Sequence, residues 1–140
     1  MSQRPLEGVR IADFTWVWAG PFATLQLAHL GAEVIRIETQ HRICVTRRIP
    51  PFAEGQSGIN RSGYYNQYNQ GKQSVTLNLK MPEALDIAKQ LVAASDVVSE
   101  NFASGVMDKM GLGYEVLRQI KPDIIMISMS GYGAVGPESP

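Results

Sequence analysis

The first forty residues restrict the architecture more than any other stretch. Val9-Arg10-Ile11-Ala12-Asp13-Phe14 reads as an apolar strand, Thr15-Trp16-Val17-Trp18-Ala19-Gly20-Pro21 as a turn into a helix, and Gly31 to Glu38 as the return strand. Such a strand–helix–strand unit places its strands parallel and joins them by a right-handed crossover. The turn has the small residues of a phosphate-capable loop but lacks the G-x-G-x-x-G spacing of a dinucleotide site. It points to a nucleotide-bearing ligand held in another way.

The later elements extend the same alternation. Helix 1 is predicted over Pro21 to Leu30, because proline suits a first helical turn and Gly31 suits the residue past the end. Ser74 to Leu79 alternates polar and apolar as a strand does, and Pro82 starts a helix whose Ala84, Leu85, Ala88, Leu91, Val92 and Ser95 form one stripe. Asp96 to Glu100 reads as a strand, and Gly105–Met110 and Tyr114–Ile120 as helical turns broken at Gly111 and Gly113. Asp123 to Ser128 is nearly all apolar, so it is expected to be a central strand, ahead of the mixed Val34–Glu38.

Residues 39–73 show no sustained period and read as one long excursion, in which Tyr64, Tyr65 and Tyr68 argue for packing against a ligand or partner rather than disorder. The pattern implies an α/β domain with a mostly parallel sheet covered by helices. A glycine-rich segment, Gly131 to Pro140, follows the most apolar strand where a doubly wound sheet would build its ligand site. The chain is therefore expected to be the front portion of a longer protein.

Composition removes several function classes. Thirteen basic and thirteen acidic residues cancel, so no global field draws nucleic acid or anionic lipid. No segment approaches a membrane span, the first residues lack a leader's apolar stretch, and the single Cys44 forms no internal disulfide; the expected compartment is the cytoplasm. His29, near a helix stop, reads as a C-terminal charge, and no ligand-spaced partner suggests a metal. Asp13 reads as a residue that ties down a turn, Cys44 as non-catalytic, and Lys80 and Lys109 by themselves as solvated charges.

Taken in order, Pro5 to Phe14, Ala19-Gly20-Pro21, Gly31 to Glu38, Asn101-Phe102, Met110-Gly111 and Ser130-Gly131-Tyr132-Gly133 resemble the family III CoA-transferases over essentially all 140 residues. The resemblance implies a Rossmann-like sheet, with residues 1–140 as the N-terminal part of the large domain, and an interlocked homodimer. It implies coenzyme A as the bound group, acyl-CoA and carboxylic acid substrates, and no metal. Matching positions put Val17, Trp18 and Ala19 beside the nucleotide and thioester arm. Leu77, Asn78, Leu79, Lys80, Asn101, Phe102 and Ala103 then line the adenosine and phosphate part, and Lys109 stands where relatives often carry Arg.

CoA calls for a small-residue turn, an aromatic or apolar surface and cations, and all three are present. Two departures matter. Thr39 occupies a position where the formyl-CoA enzymes place an Arg, and Arg42, Arg47 and Arg48 are the candidate substitutes. Trp18 replaces a Gln near the reacting acyl group, which argues for a larger or aromatic acyl group than oxalate.

In the family mechanism an Asp beyond residue 140 forms a mixed anhydride and then an aspartyl thioester, so this segment alone is expected to be inactive. A related racemase branch moves an α-proton by acid/base residues instead, and a non-catalytic CoA or nucleotide module is a further alternative. An oxidoreductase domain is disfavoured by the absent glycine fingerprint.

Overall fold

In a computed structural model, residues 4–138 are described, so Met1–Gln3 and the last two residues of the glycine-rich tail lie outside the described residues. Five strands, β1 (Arg10–Asp13), β2 (Glu33–Glu38), β3 (Gln73–Thr76), β4 (Val97–Glu100) and β5 (Ile125–Ser128), form one sheet in the order β3-β2-β1-β4-β5. Every pairing is parallel. The helices are α1 (Ala19–His29), α2 (Gly63–Tyr68), α3 (Pro82–Ala93), α4 (Val106–Lys109) and α5 (Tyr114–Ile120).

Side chains alternate across the strands, and each face has its own core. On one face Ile11 and Val34 pack with Ala28 of α1 and Ala32. On the other, Ala12, Phe14, Ile37 and Val98 meet Ala84, Ala88 and Val92 of α3, Met107 of α4 and Leu117 of α5. The α3 stripe is therefore the one expected from its spacing, with Ser95 also buried.

Three expectations need correction. The apolar strand expected at the centre, β5, is an edge strand among the described residues, with Ile125 58% and Ile127 38% exposed. A continuous apolar run signals that both faces are to be covered, but it does not say that the covering groups lie nearby in sequence. The mixed strand β2 is interior instead, because its charged residues Arg36 and Glu38 are buried against polar partners. The long excursion also contains structure: a 3₁₀ turn at Val45–Arg48 and α2, whose N-cap Ser62 accepts from Tyr65 N at 3.4 Å.

Candidate functional site at the switch point

From β1 the chain winds outward through β2 and β3, whereas β4 and β5 lie on the other side of β1. The direction of winding thus reverses between β1 and β4, and in open α/β sheets the ligand crevice lies at the carboxyl ends of the strands flanking that reversal. Two loops emerge there. They are fastened to each other by Asn101: Trp16 N donates to its Oδ1 at 2.7 Å, and its Nδ2 donates to Trp16 O at 2.7 Å. Phe14 N also donates to Ser99 O at 2.8 Å, so the ladder continues to the mouth of the crevice.

The turn after β1 is shaped by constraints of its own. Val17 has φ 68°, a left-handed conformation that is costly for a β-branched residue and that clusters at functional sites when the surroundings enforce it. Its N–H points to Cys44 Sγ at 3.3 Å, which gives the buried Cys44 a structural role. Gly20 permits the turn to close, since a Cβ there would lie 2.4 Å from Thr15 Cβ. The α1 helix starts with no side-chain cap and no acidic residue in its first turn, so the positive end of its dipole is not neutralised by a side chain of its own first turn.

The sequence-predicted residues fall into two groups. Val17, Trp18 and Ala19 are exposed on the β1 turn, while half-buried Asn101 and Phe102 and exposed Ala103 follow β4. All six lie on the two segments that follow β1 and β4, which Asn101 joins at Trp16. The segment after β3 is further away: at about 4.8 Å per strand it stands about 10 Å from β1 and about 14 Å from β4, a separation that only an extended ligand bridges. There Leu77 is core, Leu79 packs on the core, Asn78 Oδ1 accepts from Lys80 N at 3.3 Å, and Lys80 is exposed. Lys109 is exposed on the last turn of α4, with no ion-pair partner among the described residues.

An aromatic surface flanks the turn. Trp18 lies 5.6 Å from Tyr64 between ring centroids, Tyr64 stacks on Tyr68 at 6.1 Å, and Tyr68 meets Phe22 edge-on at 6.1 Å. Trp18 and Phe22 remain 48% and 52% exposed, so the surface is open to a planar or apolar group. Of the three arginines, Arg47 is committed elsewhere, donating to both oxygens of Glu38 at 3.0 and 2.8 Å and covering the Tyr65 ring at 3.4 Å. Arg42 lies 6.0 Å from the Trp16 ring beside the crevice, and Arg48 is exposed.

Sequence reasoning missed Lys72. It reaches under the β1 turn, with Nζ donating to Asp13 Oδ2 at 3.2 Å, Pro21 O at 2.9 Å, Thr24 Oγ1 at 2.8 Å and Asn69 Oδ1 at 3.2 Å. Asp13 also accepts from Thr15 N at 2.9 Å and Thr24 Oγ1 at 2.8 Å, so it does tie down the turn. The only local signal was a lysine just ahead of β3; its partner lies 59 residues away. Burial pushes the Lys72 ammonium down to about 8 against the pull of Asp13. Burial also pushes Tyr65 up to about 12, reinforced by its hydrogen bond to Glu38. Burial alone would raise Glu38, but hydrogen bonds from Arg47 and Tyr65 and the charge of Arg36 hold it below 4.5.

These shifts set a pH profile. Between pH about 8 and 10 an unfolded Lys72 keeps a proton that the folded one has released, so stability rises with pH. From 10.0 to about 12 the unfolded Tyr65 loses a proton that the folded one retains, and stability falls. Below 4.5 stability falls again as Glu38 is protonated. Urea unfolding across this range should show a maximum near pH 10; a monotonic decline from pH 8 upward would contradict the buried lysine.

An all-parallel five-stranded sheet whose winding reverses beside β1 defines an open, doubly wound α/β domain. Comparison with known proteins sharpens that class. The profile of CoA-transferase family III matches residues 6–140, and the chain belongs to that family. It is 46% identical over 139 residues to succinyl-CoA:glutarate CoA-transferase of Mus musculus, covering 99% of this chain and 31% of that protein. It is 41% identical over 133 residues to acetyl-CoA:oxalate CoA-transferase of Acetobacter aceti, covering 95% and 33%. The crystal structure of a CAIB/BAIF family protein from Brucella suis superposes with a TM-score of 0.88 at 35% identity, covering 99% of this chain and 36% of that one. The chain thus spans about a third of the length of the relatives it matches. Among the described residues no helix is long and apolar enough to cross a membrane, and no cluster of three or more His, Cys, Asp or Glu could hold a metal.

Proposed function

We propose that this chain is the CoA-binding front part of the large domain of an enzyme that transfers CoA from an acyl-CoA to a carboxylic acid through an aspartyl thioester. The observation that carries this reading is the Asn101 bridge, which joins the β1 and β4 loops at the start of α1. The nucleophilic Asp belongs to sequence beyond residue 140, so residues 1–140 by themselves bind without turning over. The working form is a cytoplasmic homodimer; the exposed apolar residues Ile125 and Ile127 of β5 support a covering surface from further chain or partner.

Within this reading, main-chain atoms of Val17, Trp18 and Ala19 approach the thioester arm. Asn78 to Lys80 and Asn101 to Ala103 hold the adenosine end, and Lys109 and Arg42 supply charge to the phosphates. The relatives are named for succinyl, glutarate, acetyl and oxalate groups. The Trp18–Tyr64 pair favours a bulkier, more apolar acyl group here.

A CoA-transfer assay of the full-length protein tests both levels. Aryl or branched acids should exceed oxalate in kcat/KM, and Trp18→Gln should reduce that preference about tenfold, within the range one apolar contact commands. Absence of transfer with any acyl-CoA and acid pair would defeat the activity; a preference unaffected by Trp18→Gln would defeat the acyl assignment alone.

A further inference from the structure

The Lys72 side chain, 1% exposed, lies out of reach of any ligand, yet its ammonium joins three elements around the proposed CoA site. From the segment between α2 and β3, Nζ donates to Asp13 Oδ2 at the end of β1 at 3.2 Å. It donates also to Pro21 O and Thr24 Oγ1 of α1 at 2.9 and 2.8 Å, and to Oδ1 of Asn69, the C-cap residue of α2, at 3.2 Å. Three ammonium protons are thus shared among four acceptors.

The same elements meet again nearer the surface. Trp18, the residue ahead of α1, lies 5.6 Å from Tyr64 of α2, and Phe22 of α1 meets Tyr68 of α2 edge-on. With six residues, α2 is too short to persist without tertiary support, so its contacts decide where Tyr64 and Tyr68 stand. A buried ion pair is weak ground for stability, because apolar replacements of such pairs are often as stable. An apolar side chain could not, however, hold the Pro21 carbonyl, the Asn69 amide and the Asp13 carboxylate at fixed distances from one atom.

We infer that Lys72 is a positioning residue for CoA binding: by fastening the C-cap of α2 to the first turn of α1 it fixes the Trp18–Tyr64 contact, and with it the turn Val17–Ala19. The inference rests on the proposed CoA site. It requires that binding depend on the hydrogen bonds of Lys72 to Pro21 and Asn69, and not only on charge balance with Asp13.

A double variant separates the two roles. Asp13→Asn combined with Lys72→Met removes both buried charges, so unfolding stability should recover most of what Asp13→Asn or Lys72→Met alone loses, while Pro21 O and Asn69 Oδ1 lose their donor. Calorimetric titration of CoA into the full-length double variant should still show binding about tenfold weaker than wild type, the size of one hydrogen bond's worth of placement. Wild-type affinity in the double variant would make Lys72 structural only and overturn the inference. No CoA binding by wild type would defeat the CoA site itself, and the inference with it. Should the double variant not fold, Asn69→Ala keeps the Asp13–Lys72 pair and cuts its link to α2; it too should weaken CoA about tenfold, and unchanged affinity there would overturn the inference.

Discussion

Replacing Asp13 with alanine is expected to destabilise the protein by about 3–5 kcal/mol, the range for removing one partner of a buried ion pair. The Asp13 side chain is fully buried and the Lys72 side chain is 1% exposed, so the ammonium left behind reaches no bulk water. Thr15 N and the Thr24 hydroxyl lose an acceptor at the same time. Asp13→Asn retains one acceptor oxygen and most of the shape, and should cost less than Asp13→Ala. Denaturant unfolding of both variants checks this. A loss below about 1 kcal/mol for Asp13→Ala would mean that Lys72 escapes to solvent or is neutral in the fold.

Glu38→Ala should be comparable, again about 3–5 kcal/mol, for a related reason. One carboxylate serves Arg47 through two hydrogen bonds, the Tyr65 hydroxyl and Ser74, and it is the only acid within ion-pair distance of Arg36 among the described residues. Its loss strands two guanidinium groups, with side chains 1% and 12% exposed. The two carboxylate centres are joined through Asn69, which bonds Lys72 and Arg36 with the same oxygen. Contacts of this kind break additivity, so the Asp13→Ala, Glu38→Ala double variant should depart from the sum of the singles by more than about 0.5 kcal/mol. Simple additivity in unfolding experiments would show that the network is two independent pairs.

What the sequence disclosed follows from where each signal is written. The β1–α1–β2 unit and the α3 stripe were legible because a helix or strand facing one core carries its period within its own residues. Helix α2, at six residues, was too short for a period to show; its cap at Ser62 was the available cue. In β2 the charges of Arg36 and Glu38 resembled a wet face. They are buried because they find partners on α2, at its C-cap Asn69 and on the 3₁₀ turn, which no local pattern encodes.

The candidate site shows the same division. The turn at Trp16 to Pro21 announced itself through its small residues and its place after the first strand. The fastening of Trp16 to Asn101 spans 85 residues and emerged only from the fold. The choice among Arg42, Arg47 and Arg48 was equally closed to spacing. It narrows once Arg47 is seen to be held by Glu38, while Arg42 lies by Trp16.

The central claim is that CoA lies across the switch-point crevice, from the Trp16–Pro21 turn to Lys109. Calorimetric titration of CoA, 3′-dephospho-CoA and NAD into the protein and its Lys109→Ala variant tests it most directly. The account predicts that CoA binds more tightly than NAD and that Lys109→Ala weakens CoA by about 1–3 kcal/mol, the value of a charged hydrogen bond. Equal affinity for CoA and NAD, or CoA binding indifferent to Lys109→Ala, would contradict it.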